Sequence, residues 1–306
     1  MTAAATAAPA TTTRGAGTRS RRRSAVWLGL TPFAIYVALF LAIPAVLAVG
    51  SGFFSASGGF TFDNFTALAD PSIQADYLGT VGLSAVTAVL GAVIGALVCF
   101  ALLGTRPNGG LRTAVDSASS VLAQFGGVML AFAFIVTIGT QGIITRWLVQ
   151  AGLINNVFNH SASGGTLIYT VAGLTIPYLY FQIPLMVLTF MPAMEGLKAT
   201  WGEANATLGG TRFTYWTRIG FPILAPAFFG SLILLFANAF SSYATAAALI
   251  SQGGIIPLDI RGYVNSEVVV GHANGAGVLA LLMIVTMIIV MWLYSLLERR
   301  ASRWRS

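Results

Sequence analysis

"KATWGEANATLGGTRFTYWTRIGFP", residues 198–222, is a polar segment punctuated by glycine, set inside a chain that is otherwise long runs of Leu, Ile, Val, Phe and Ala. Its meaning depends on what surrounds it. The chain has 306 residues, 56% of them hydrophobic and 8% charged, whereas a soluble domain carries about 25% charged residues. Residues 24–62, 77–105, 117–145, 147–194, 219–258 and 268–297 contain no Asp, Glu, Lys or Arg. Each run exceeds the roughly 20 apolar residues needed to cross a hydrocarbon core about 30 Å thick. The runs are continuously apolar and do not alternate in and out as barrel strands do. The expected fold is therefore an all-α integral membrane protein with six transmembrane helices, near 27–50, 79–103, 117–138, 166–190, 223–249 and 274–297.

Basic residues set the expected orientation. With the N-terminus inside, the inner segments hold Arg14, Arg19, Arg21, Arg22, Arg23, Arg106, Arg112, Lys198, Arg212, Arg218, Arg299, Arg300, Arg303 and Arg305, and the outer segments only Arg146 and Arg261. That asymmetry is the positive-inside signature, and it predicts a multi-pass plasma-membrane protein with both termini cytoplasmic. The net charge of +7 then reads as topology and contact with anionic membrane lipid, with no nucleic acid implied. Residues 1–24 read as a disordered basic cytoplasmic tail, 25–300 as the six-helix transmembrane domain and 301–306 as a second cytoplasmic tail. The apolar stretch after "SRRRSAVWLGL" is longer than the h-region of a signal peptide, so an uncleaved first helix is expected.

Catalytic chemistry finds no footing. Cys99 is the only cysteine, and His160 and His272 have no second ligand at i+4. The one lysine, Lys198, follows Leu197, so there is no phosphate-cradling Walker A loop. The six expected spans contain no ionisable group, which argues against a carrier driven by protons or voltage. Polarity inside them comes from Tyr178, Tyr180, Gln182, Asn238, Ser241, Ser242, Tyr243 and Thr245; of these Tyr178, Gln182, Asn238, Ser242 and Tyr243 are the candidate pathway residues, for which interhelical hydrogen bonding is the plainer alternative.

The polar segment lies between the fourth and fifth spans, in a loop covering 191–222. Pro192 is expected to end the fourth helix. Thr200 and Glu203 have capping-box spacing, and Trp201, Ala204 and Leu208 form an apolar stripe. Gly209 and Gly210 stop that short helix, and Thr211 caps a second one carrying Arg212, Phe213, Trp216 and Arg218. Two short helices about a glycine hinge make a protruding elbow.

This elbow resembles the EAA loop of binding-protein-dependent ABC importer permeases: Glu-Ala-Ala, three residues, Gly, nine residues, Ile, one residue, Leu-Pro. Here Glu203-Ala204-Asn205, Gly209, Ile219 and Phe221-Pro222 keep every spacing, with Asn205 and Phe221 as the departures. "FTFDNFTAL" and "LFANAFSSYATAAALI" are similar to the first outer loop and fifth span of spermidine/putrescine-type permeases, and the resemblance covers most of residues 25–300. It implies a type I permease fold whose coupling loop comprises Glu203, Ala204, Asn205, Leu208, Gly209, Gly210, Arg212, Ile219 and Pro222. It further implies a cytoplasmic ABC ATPase dimer, a second permease subunit and an extracytoplasmic solute-binding protein as partners. ATP and Mg would be used by the ATPase, with no cofactor bound by this chain, and a polyamine is the favoured cargo. A self-contained carrier or channel and a membrane scaffold are the alternatives.

Overall fold

A computed structural model of the chain describes residues 30–55, 57–106, 109–152, 167–250, 253–265 and 273–302. His160 and His272 lie outside them. Six helical segments are long and apolar enough to cross a membrane, and among the described residues the only β pairing is an isolated bridge between Phe54 and Phe60. Residues 1–50 and 51–306 are separate compact units. The first contributes nearly all of α1, Leu30–Ser51, none of whose apolar side chains is buried. It widens to a π-turn at Ala38–Ala42, where the Ile43 amide bonds back to the Ala38 carbonyl. Pro44 follows at once and has no amide to offer, so the register opens just upstream of it.

In the second unit α2 covers Pro71–Leu103. It begins eight residues before the expected start at 79, because Asp70 caps it, accepting from the Ser72 amide at 2.9 Å, with Pro71 in its first turn. Asp76 therefore sits within the helix, correcting the expectation of spans free of ionisable groups. The third span is also corrected. Residues 117–138 are not one helix: α3, Gly110–Gln124, stops at Phe125–Gly126, and α4 runs Gly127–Ile138, followed by α5, Ile143–Gln150. Gly127 takes φ +72°, a left-handed turn that glycine adopts without steric cost.

The fourth span, α6, starts at Thr175 and not near 166, and it runs through Pro184 and Pro192 to Glu195. Pro192 does not end it. An interior proline costs about 3 kcal/mol, but the turn beyond it stays helical and packs Met194 into the core, where it is buried. Two short helices follow, α7 (Ala199–Thr207) and α8 (Arg212–Tyr215), then a π-turn at Trp216–Gly220 and α9, Phe221–Phe240. That π-turn repeats the α1 pattern, immediately upstream of Pro222. The expected fifth span of 223–249 is broken at Ser241–Tyr243, after which α10 covers Ala244–Leu249. The chain continues through α11, Ile256–Asn265, and α12, Ala273–Ser302.

The core is the seam of α2 against α6 and α9. Thr80, Ser84, Thr87, Gly91, Gly95 and Cys99 share one face of α2 at helical spacing. The hydroxyls of Thr80, Ser84 and Thr87 donate to their own helix, to the carbonyls of Asp76, Thr80 and Leu83 at 2.6–2.8 Å. Gly91 and Gly95 let α6 come close: an added Cβ would lie 2.9 Å from Gln182 Cβ and 2.5 Å from Met186 Cβ. Small residues at such a seam supply the dispersion contact that drives association where lipid is as apolar as leucine. Gly95→Leu is expected to destabilise the purified protein by about 1–3 kcal/mol through overpacking. Gly82→Ala, where nothing lies within 4 Å, should be neutral or gain up to about 1 kcal/mol. Thermal unfolding in detergent measures both.

At the end of α2 away from the elbow, the Gly254 amide donates to Asp76 Oδ2 at 2.9 Å and the Ile256 amide to Thr80 Oγ1 at 2.9 Å, tying the start of α11 down. Asp259 on α11 faces Asp76, and its buried Oδ2 has no hydrogen-bond partner. Burial, then the neighbouring Asp76 carboxylate, push the Asp259 carboxyl up from 3.8 to about 7. The folded state thus holds this proton more tightly than the unfolded chain. The resulting stability is complete below about pH 4 and is lost as pH rises through about 7. A falling unfolding midpoint across that window is expected, with the fall reduced in Asp259→Asn.

Candidate functional site

The elbow is built from local hydrogen bonds. Lys198, extended at φ −78° and ψ 133°, precedes α7 and offers no side-chain cap. The expected Thr200–Glu203 capping box therefore does not form. The helix starts one residue before Thr200, and Glu203 is exposed. In place of the box, the Trp201 amide bonds to the Lys198 carbonyl at 3.1 Å, and the Lys198 ammonium lies 6.0 Å from the Trp201 ring centre. The far end of α7 is closed as expected. Gly209 adopts φ +77°, its amide bonds to the Ala206 carbonyl at 3.0 Å, and the Gly210 amide reaches the Asn205 carbonyl at 2.8 Å. This pair of bonds is the Schellman closure. Thr211 then caps α8, accepting from the Thr214 amide at 3.2 Å.

Asn205 does more than tolerate water. It is half-buried, and its Nδ2 donates to the Thr211 carbonyl at 3.1 Å, clipping the two short helices together. A Cβ at position 210 would run into the Asn205 side chain, so the second glycine makes room for the clip. The stripe of Trp201, Ala204 and Leu208 is not folded inward. Trp201 is half-buried, Ala204 is exposed, and Leu208 is 88% exposed beside Phe213 at 78%. Arg212 opens α8 exposed, Ile219 is half-buried in the π-turn, and Pro222 is exposed in the first turn of α9. Trp216, which sequence reading placed only on the second short helix, is the anchor. Its ring packs on Phe100 of α2 at 5.1 Å and on Phe221 at 5.7 Å. The signal for it was Gly220, four residues later, whose missing side chain leaves space for the indole.

The second feature is where α3–α4 and α9–α10 break. The Gly127 amide donates to Thr245 Oγ1 at 2.9 Å, and that hydroxyl also lies 3.3 Å from the Gly127 carbonyl, joining the two breaks. Tyr178 donates its hydroxyl to the Ser242 carbonyl at 3.0 Å. Of the expected pathway residues, Tyr178 and Gln182 are fully buried, with Gln182 Nε2 donating to Thr87 Oγ1 at 3.1 Å. Both hold helices together. Asn238 and Ser242 are half-buried and Tyr243 is 39% exposed, so these three border accessible space near the break. Thr245, 1% exposed, is among the polar residues of the spans in the sequence but not among the pathway candidates. A threonine three residues after the polar Ser241-Ser242 pair in an apolar run was its only mark.

No family model matches the chain. Curated relatives do. The probable sulfate transport system permease protein cysT of Prototheca wickerhamii is 24% identical over 192 residues, 62% of this chain and 68% of the relative. The molybdenum transport system permease protein ModB of Azotobacter vinelandii is 26% identical over 182 residues, 60% of this chain and 74% of the relative. The spermidine/putrescine permease PotB of Haemophilus influenzae is 21% identical over 243 residues, 78% and 81% of the two chains. Among solved structures, a chain of a bacterial ABC transporter that imports the acidic polysaccharide alginate superposes with TM-score 0.69 at 16% identity, covering 92% of this chain and 96% of that one. That transporter has also been solved with its alginate-bound periplasmic protein. A chain from the MetNI methionine transporter gives TM-score 0.54 at 15% identity, covering 75% of this chain. With six apolar spans, the chain is a multi-pass membrane protein with the fold of type I ABC importer permeases, similar in sequence to permease proteins of the sulfate, molybdenum and spermidine/putrescine transport systems.

Proposed function

We propose that the elbow is the coupling loop through which a cytoplasmic ATPase drives this permease, with Glu203, Ala204, Asn205, Leu208, Gly209, Gly210, Arg212, Ile219 and Pro222 forming it. The observation that carries the reading is a pair of large apolar side chains, Leu208 and Phe213, held nearly fully exposed at the tip of a polar turn that the Asn205 clip and Gly209 keep rigid. Exposed apolar groups grouped on a stiff projection are what a partner's groove takes up. The ATPase dimer uses ATP and Mg, and this chain binds neither. The basic-residue asymmetry supports a cytoplasmic position for the elbow and both termini. A second permease subunit completes the pathway, and a solute-binding protein delivers cargo on the other side.

The cargo reading favours a small oxyanion. The sulfate and molybdate relatives support it. The spermidine/putrescine relative keeps a polyamine as the second reading, with Tyr243, Phe125 and the half-buried Tyr180 packed on Phe125 as the aromatic groups near the break that could hold ammonium.

Leu208→Asp tests the coupling role, since a side chain 88% exposed contributes little to the fold. The variant should insert normally while ATPase affinity falls at least about tenfold, equivalent to ~1.4 kcal/mol, and ATP-driven uptake falls with it. Sulfate or molybdate uptake by the complex reconstituted with its binding protein should exceed that of putrescine. Unchanged ATPase affinity overturns the coupling role, and putrescine uptake alone overturns the oxyanion cargo.

A further inference from the structure

Beside the elbow, a cleft is lined by Arg112 and Asp116 of α3, Glu195 at the end of α6, and Leu197, Tyr215 and Trp216 of the elbow. Arg112 is the one basic side chain among the described residues that is buried, at 8% exposure, while Asp116 and Glu195 are about half exposed. Its guanidinium Nη2 contacts Glu195 Oε1, and its Nε lies 3.8 Å from Asp116 Oδ2. Burying a guanidinium requires such partners, because an uncompensated charge out of water is strongly disfavoured.

The placement of the two charges is unusual in a way that isolates their purpose. Arg112 is the third residue of α3, at the end of the helix where the backbone dipole favours an anion. Glu195 is the last residue of α6, where the dipole favours a cation. Each charge is wrong for its own helix. Each is right for the other, since the contact sets the cation against the carbonyl end of α6 and the carboxylate against the amide end of α3. Apart from the i,i+4 contact of Arg112 with Asp116, nothing local to either helix calls for these residues; the junction between them does.

That junction has a particular position in the fold. Glu195 is followed within four residues by α7, so it lies at the root of the elbow. At its other end α3 meets the Phe125–Gly126 break, beyond which Gly127 is bonded to Thr245 in the broken fifth span. We propose that the Arg112–Glu195 ion pair is the positioning link that carries displacement of the elbow out of α6 into α3, and through α3 to the joined breaks of the third and fifth spans. This rests on the elbow being the coupling loop. The pair stands apart from the docking tip, so its loss leaves ATPase binding intact and separates hydrolysis from transport.

The test uses the complete complex, permease with ATPase and binding protein in liposomes, and reads solute moved per ATP hydrolysed alongside ATPase affinity. Glu195→Gln removes one half-exposed charge while Asp116 remains beside Arg112. ATPase affinity is expected to stay within twofold and solute per ATP to fall at least fivefold, with Glu195→Asp recovering more than half. Arg112→Gln and the double variant should match Glu195→Gln within twofold, because the two residues act as one link. Unchanged solute per ATP in Glu195→Gln, or single-variant losses that multiply in the double variant, overturns the link. So does a fall in uptake that merely follows a fall in ATPase affinity or in folded protein. If instead Leu208→Asp leaves ATPase affinity intact, it is the coupling role of the elbow that fails, and the two outcomes are told apart.

Discussion

Hydrocarbon offers no hydrogen bonds, so every backbone group of a membrane span must find its partner within the protein. This constraint decides where the helices of this chain can be interrupted. An unbroken helix satisfies it alone. The breaks at Phe125–Gly126 and Ser241–Tyr243 satisfy it jointly, through one threonine hydroxyl that accepts from the Gly127 amide and through the Tyr178 hydroxyl on the Ser242 carbonyl. Two interruptions that would each be costly in lipid are tolerable because they meet. Their meeting also joins α4 to the fifth span, so neither break can reopen without disturbing the other.

The same economy of backbone bonds stiffens the elbow. Its first helix closes through glycine amides, its second is capped by Thr211, and Asn205 clips one to the other. Trp216 seats the assembly against Phe100 at the end of α2, the helix whose small-residue face forms the core seam with α6. A projection this well tied can move only with the helices that hold it. The apolar side chains at its tip are therefore held in place, as the proposed docking role requires.

Much of this was legible in the sequence, because it follows from composition and from local rules. Six apolar runs require six spans, a Gly-Gly pair after a short helix requires a stop, and Thr211 three residues before Thr214 is a cap. Gly209 at positive φ is what the glycine at that spacing predicted. The misreadings share a cause, which is that tertiary contacts outweighed a local signal. Pro192 reads as a terminator, yet the packing of Met194 into the core carries the helix past it. Thr200 and Glu203 read as a capping box, but the chain enters α7 a residue earlier. The breaks were hidden because they sit inside apolar runs, where Gly126-Gly127 resembles the glycine common in any span. The start of α2 at Asp70-Pro71-Ser72 carried a readable capping signal, and placing spans by charge-free stretches alone passed over it. Arg112 was counted as a topological charge, and only its partner on a distant helix distinguishes it.

The central claim is that the elbow stands on the cytoplasmic face, where a soluble ATPase covers it. Position 208 reports on this directly, because Leu208 is 88% exposed while the native Cys99 is fully buried. With Leu208→Cys, a membrane-impermeant maleimide should label inverted vesicles stripped of ATPase, leave intact cells unlabelled, and be blocked when the ATPase is restored. Labelling of intact cells, or labelling in inverted vesicles that the ATPase does not diminish, would contradict the account.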